Sequence, residues 1–257
     1  MTVHSPRLAA VSLAALALCL ALGCARRKLE RVEWTTMGTV AAFNCRDAKD
    51  IARSAEVRET FAEVEALLNA HNPESELSRL APLDEGEILA ACDERMRPCY
   101  EAAFRLMRES GGAFNPRWRG PGTLDLGGIA KGFATDLAAE RLGDCDALID
   151  LGGNLKACGG EWRVGVFAPQ GGVPGEKFAL SANAACATSA EYARGKHIYD
   201  GRTGLAVTND LVSVTVIHPT SAMLADGLST ILFIFGEEEG ESFLRTHYPE
   251  SRAIWQK

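Results

Sequence analysis

Between residues 147 and 181 the sequence breaks into four short apolar runs, at 147–151, 155–158, 162–167 and 177–181, with no helix-length segment among them. Short runs bounded by Gly, Pro and Asn read as strands. The flanks carry a different period. In residues 51–70 the apolar residues Val57, Phe61, Val64 and Leu68 fall on one helical face, and a second helix over 96–110 is closed by Gly111 and Gly112. Between these two lie the turn His71-Asn72-Pro73 and a short helix capped by Ser75 ahead of Glu76. Residues 30–45 read as two strands around Met37-Gly38-Thr39. Residues 124–126 read as a strand end, 129–142 as a helix, 211–217 as a strand and 221–235 as an apolar helix. Strands grouped between helices, without regular alternation, predict an α+β fold and argue against a doubly wound sheet.

The first 28 residues stand apart. An apolar run at 8–22 follows Arg7 and ends in Gly23-Cys24, ahead of Ala25-Arg26-Arg27-Lys28. The run is shorter than the ~20 residues a spanning helix needs, so residues 1–23 read as a lipoprotein signal peptide and Cys24 as the lipidated N-terminus. A short membrane anchor and a plain secretory signal are the other readings. Residues 24–257 then form one large domain or two intimately packed lobes. The formal net charge is −7 and no basic stripe occurs, which excludes a nucleic-acid binder. Beyond Cys19 and Cys24, six cysteines remain. Export makes disulfides plausible, Cys92 and Cys99 being nearest in sequence, and small buried thiols are the alternative. Their spacing makes no zinc site.

Four stretches carry candidate chemistry. In LDLGGIAKGFATD, residues 124–136, two glycines open a helix and bring bare backbone N–H groups to whatever sits at the turn, which suits a phosphate. It has neither Walker nor GxGxxG spacing, and the same pattern also makes an ordinary tight turn. In ADGLST, residues 225–230, Asp226 and Thr230 lie four apart on one helical face, hard oxygen donors for Mg²⁺ or Ca²⁺; a helix cap with an incidental threonine is the alternative. In HIYDGRTG, residues 197–204, His197 can take a proton from a hydroxyl and Arg202 can hold phosphate oxygens, although a histidine beside a turn is often merely exposed. GAFNP, residues 112–116, has the size and polarity of a loop edging a flat ligand.

In this order the stretches resemble the ApbE family, the FAD:protein FMN transferases, many of which are lipoproteins. TMGT at 36–39, SELSRL at 75–80, LIDLGGNL at 148–155 and ATSAEY at 187–192 extend the resemblance over nearly all of the chain beyond the signal. It implies an α+β fold of mixed, largely antiparallel sheets with packed helices, its two lobes holding FAD in a cleft. It implies Mg²⁺ at the pyrophosphate, held by the Ala130 carbonyl, Asp226 and Thr230. Met37, Ala113, Phe114 and Asn115 match positions lining the flavin nucleotide, with Gly127 and Phe133 at further contact positions. His71 stands at another nucleotide position that is often tyrosine. Lys131 and the backbone near Gly128 are expected to steady the pyrophosphate, Asp226 and Thr230 to fix the metal, and His197 to assist loss of a hydroxyl proton.

The activity so implied is transfer of FMN from FAD to a threonine or serine of an acceptor protein, with release of AMP. The expected setting is a lipid-anchored enzyme facing the periplasm, with a membrane redox subunit as acceptor. This sequence departs from the family pattern in having Asn115 for aspartate, Gly201 for proline and Ala190 for glycine. An FAD pyrophosphatase yielding free FMN and AMP, and a lipoprotein that stores flavin without chemistry, are the competing readings.

Overall fold

The computed structural model of the protein describes residues 29–167, 175–191 and 197–257. The signal segment, Cys24, Tyr192 and nearly all of the Gly/Pro-rich stretch at 169–175 lie outside them. Strands β1 (Glu30–Thr36) and β2 (Thr39–Cys45) form a hairpin turned by Met37 at φ 47 and Gly38 at φ 66. A 3₁₀ turn, Ala48–Arg53, leads into α1 (Ser54–Leu68), which buries the four apolar residues that share its face. Helix α2 (Glu76–Leu80) is capped by Ser75, and α3 (Glu85–Ala91) by a capping box between Asp84 and Glu87. Helices α4 (Arg97–Glu109) and α5 (Ala130–Leu142) follow.

Next come β3 (Ala147–Leu151), β4 (Asn154–Cys158), β5 (Trp162–Gly165), β6 (Lys177–Leu180), β7 (Ala185–Ala190), β8 (Tyr199–Asp200), β9 (Leu205–Ala206) and β10 (Ser213–His218). Helices α6 (Ala222–Phe235) and α7 (Glu237–His247) and strand β11 (Arg252–Gln256) end the fold. The main sheet has seven strands in the order β1-β2-β3-β4-β7-β10-β11. All its neighbours pair antiparallel. The β5–β6 and β8–β9 pairs are separate ribbons.

Alternation along the strands divides the interior in two. On one face Phe43, Ile149, Ala187 and Val214 join Phe61, Leu106, Ile129 and Leu228 in the larger core, beneath the helices. On the other face Leu148, Leu155 and Cys186 pack with Trp162, Val164 and Leu180 of the β5–β6 ribbon. The expected α+β architecture, with largely antiparallel sheets, is the one observed.

Three local readings differ. Residues 124–126 are not a strand end: their backbone pairs with no strand, and the Asp125 carboxylate is spent on the turn, accepting from the Gly127 N–H. The cysteines take the thiol alternative, since Cys45, Cys92, Cys99, Cys145, Cys158 and Cys186 are all buried and free. Burial pushes their thiols up, that of Cys45 to about 11, so they are weak nucleophiles. Helices α3 and α7 and strands β7 and β11 had no counterpart in the sequence reading.

Candidate functional site

The N-terminal end of α6 is locked onto the side of α5. The Asp136 carboxylate of α5 accepts hydrogen bonds from Ser221 Oγ at 2.8 Å and from the Ala222 and Met223 N–H groups at 2.9 Å. It thus satisfies donors that a helix start leaves open. The buried Lys156 ammonium balances it at 3.0 Å and donates to the Thr220 carbonyl. Gly132 lets the two helices touch, because a Cβ there would run into the Ala222 carbonyl and stand 2.8 Å from Asp226 Cβ.

That contact builds a polar wall. Asp226 is only 5% exposed, and its Oδ2 accepts from the Gly132 N–H at 2.9 Å. Lys131 Nζ lies 3.5 and 3.4 Å from the two Asp226 carboxylate oxygens and donates to the Gly127 carbonyl at 3.0 Å. One turn along α6, Thr230 Oγ1 stands 3.3 Å from the Asp226 carbonyl and 3.4 Å from Ser189 Oγ. The Gly127-Gly128 turn faces this wall; a Cβ on Gly128 would approach Phe114 at 3.1 Å and Thr230 Oγ1 at 3.2 Å. Asp125 shapes the turn, its Oδ1 accepting from the Gly127 N–H at 2.8 Å. Gly127 is held by Asp125 and Lys131, and the bare Gly128 sets its backbone beside a carboxylate, an ammonium and a hydroxyl. Asp226 lies inside α6, whose own cap is Ser221, and its carboxylate instead takes the Gly132 N–H in the first turn of α5.

The wall borders a cleft of about 640 Å³, a size suited to a nucleotide-scale ligand. His71, Ala113, Phe114, Asn115, Gly127, Lys131, His197, Asp226 and Thr230 all line it. Met37, Ala130 and Phe133 do not. Met37 packs on the larger core, with its N–H donating to Glu65 Oε2 at 3.0 Å. Phe133 and the Ala130 methyl are buried in that core.

The departures at positions 115 and 201 abut each other. The Gly201 N–H donates to the Ala113 carbonyl at 2.9 Å, and a Cβ at Gly201 would collide with Asn115 Cβ. Proline at 201 could not make that hydrogen bond.

Several cleft residues escaped the sequence reading, among them Arg31, Trp118, Arg119, Asp150, Thr188, Tyr199 and Thr215. Asp150 sits inside LIDLGGNL, beside the glycine pair that carries that motif's resemblance. Burial pushes its carboxyl up to about 6, partly opposed by the Gly153 N–H that donates to Oδ1 at 3.0 Å. Thr188 and Thr215 share a 2.8 Å hydrogen bond across β7 and β10; a single threonine in a strand carries no signal of that.

Among the described residues no group of three or more His, Cys, Asp or Glu side chains can hold a metal. A cation at the wall would therefore rest on the Asp226 carboxylate, the Thr230 hydroxyl and main-chain oxygen, with a bound ligand supplying the remainder. That donor set fits Mg²⁺, which binds through one or two carboxylates together with substrate phosphates.

The family model described as "ApbE family" matches residues 37–120 and 117–255. An FAD:protein FMN transferase of Haemophilus influenzae is 35% identical over 136 residues, covering 45% of this chain and 38% of the relative. One from Klebsiella pneumoniae is 39% identical over 134 residues, covering 48% and 42%. The chain thus spans about two fifths of the length of these curated relatives. Its fold matches the flavin transferase ApbE from Vibrio cholerae with a TM-score of 0.70 at 22% identity, covering 89% of this chain and 98% of that one. The apo flavinyl transferase ApbE of Pseudomonas stutzeri matches with a TM-score of 0.72 at 21% identity, covering 89% and 90%.

Proposed function

Because this chain belongs to the ApbE family, we propose that it transfers FMN from FAD to a serine or threonine hydroxyl of an acceptor protein and releases AMP. The observation that carries the proposal is the meeting of the Gly127-Gly128 turn, Lys131, Asp226 and Thr230 on one wall of a nucleotide-sized cleft.

In this reaction the acceptor oxygen bonds to the phosphorus on the riboflavin side of the pyrophosphate. The bond from that phosphorus to the bridging oxygen breaks, and AMP departs with the oxygen and the negative charge. Backbone near Gly128 and the Lys131 ammonium offset that charge. His197, on the cleft lining, is placed to take the hydroxyl proton. Asp226, Thr230 and the Ala130 carbonyl would hold Mg²⁺, which supplies further charge neutralisation at the phosphates when bound. The α5–α6 lock keeps Lys131 and Asp226 in register, so that the site is preorganised.

The same reading takes Cys24 as a lipid anchor and a periplasmic membrane redox subunit as the acceptor. Its support is the apolar run at 8–22 ending in Gly23-Cys24. The test is mass spectrometry of an acceptor peptide after incubation with the protein, FAD and Mg²⁺, with AMP followed in parallel. One FMN added to serine or threonine, with matching AMP, is the expected result. AMP without adduct would turn the reading to a pyrophosphatase, and bound FAD without AMP to a flavin store.

A further inference from the structure

The proposed function puts phosphate at the wall of Gly128, Lys131 and Asp226, but a dinucleotide also presents two planar rings. Two aromatic side chains of the cleft lining come from different segments and lie face to face. Trp118, in the loop after GAFNP, and Tyr199, in β8, have ring centroids 4.2 Å apart and planes within 12°. Both are half-buried, unlike Phe114, which is packed away against Gly128.

The pair is held from several directions. The indole Nε1 donates to Asp125 Oδ2 at 3.2 Å, and the other oxygen of that carboxylate holds the Gly127 N–H. The orientation of the indole is thereby tied to the glycine turn. Arg119 bonds the same Oδ2 at 3.1 Å, and its guanidinium lies 4.8 Å over the indole. Arg117 pins the loop from below by donating to the Ala81, Leu83 and Thr123 carbonyls. Across the gap, the Gly201 N–H donates to the Ala113 carbonyl, joining the segment that carries Tyr199 to the loop that carries Trp118.

From this arrangement we infer that Trp118, backed by Tyr199, is a stacking platform for a planar ring of the dinucleotide whose phosphates lie at Gly127 and Gly128. The inference rests on the FAD-binding reading of the cleft and adds to it the residues that grip a ring. The stacked rings and the planar guanidinium over the indole present a flat surface held at little cost in side-chain entropy, and base–aromatic stacking needs no matching hydrogen-bond pattern. Arg119 extends the platform as a cation that can stack on a ring and reach a phosphate.

The experiment is equilibrium binding of FAD, FMN and ADP, each as a separate probe, to the full chain in detergent and to its Trp118→Leu and Trp118→Phe variants. Leucine keeps apolar bulk and loses the stack, whereas phenylalanine keeps a ring. Trp118→Leu is expected to weaken FAD by roughly 10-fold or more, as loss of one stacked base does. Trp118→Phe should stay within about 5-fold of the parent. A parallel loss for FMN assigns the flavin ring to the platform, and a parallel loss for ADP assigns the adenine. Unchanged FAD affinity in Trp118→Leu, with the parent binding FAD, overturns the platform and leaves the transfer reading standing. A parent chain that binds none of the three probes overturns both.

Discussion

The backbone N–H of Gly132 donates to the Asp226 carboxylate at 2.9 Å across the α5–α6 contact. One helix thus orients the carboxylate of the other, and the contact exists only because residue 132 has no side chain. Gly132→Ala is expected to force the helices apart and cost about 1–3 kcal/mol, the usual range for an overpacked interior. Thermal unfolding would register the loss. An unchanged melting temperature would mean that α6 can shift freely.

Asp226→Asn separates fold from chemistry. The amide keeps an oxygen for the Gly132 N–H and removes the charge, so stability should change little while Mg²⁺-dependent AMP release from FAD falls by at least about 100-fold, as expected where an electrostatic group is lost. AMP release at the parent rate would remove Asp226 from the site.

Asp136 lies outside the cleft, yet it caps α6 and neutralises the buried Lys156. Asp136→Ala loses the cap, worth about 1–2 kcal/mol, and leaves an unpaired buried ammonium besides. Its signature should be a lowered denaturation midpoint. FAD affinity measured well below that midpoint should weaken as α6 loosens; a variant as stable as the parent would show that the cap contributes nothing.

Two buried groups give opposite pH dependences in the ligand-free protein. With its carboxyl pushed up to about 6, against ~3.9 in an unfolded chain, Asp150 keeps in the fold a proton that the unfolded chain has released. Its contribution is full below about pH 4 and is lost as pH rises through about 6. His218 has the opposite sign: burial holds its imidazole below the ordinary value, and Nδ1 accepts from the Thr220 and Ser221 N–H groups. Its contribution is present above the ordinary histidine range and is lost as pH falls through the lowered folded value. Asp150→Asn should therefore raise stability at pH 7, by up to about 3 kcal/mol for a shift of this size, and His218→Asn should flatten the acid limb. Denaturant midpoints from about pH 4 to pH 8 would expose either error as an unaltered slope.

How legible all this was depended on how local each signal is. Helix α6 could be read from its apolar run, and the Asp226–Thr230 pair from spacing alone, because both are set within a few residues. Strand β11 was invisible: its five residues, RAIWQ, acquire strand character by pairing with β10. Helix α7 hid behind three successive glutamates that resemble a solvated charge run but occupy its first turn, where they suit the helix dipole. At the site, the glycine turn and Lys131 announced themselves in one motif. The Trp118–Tyr199 stack joins residues 81 positions apart by number, and Asp150 gains its altered acidity only from burial within the folded sheet. Neither property belongs to a sequence window.

The strands of the main sheet stand side by side in the order in which the chain supplies them. Each strand after the first therefore meets an edge already in place, and a chain emerging from its N-terminus can extend the sheet without leaving a gap for a later segment. Helix α6 follows the sixth of the seven strands. Asp226 and Thr230 thus reach the glycine turn only once nearly the whole sheet is laid down, and a nascent chain that stops short of them carries the Trp118 platform but no carboxylate to complete the reactive wall.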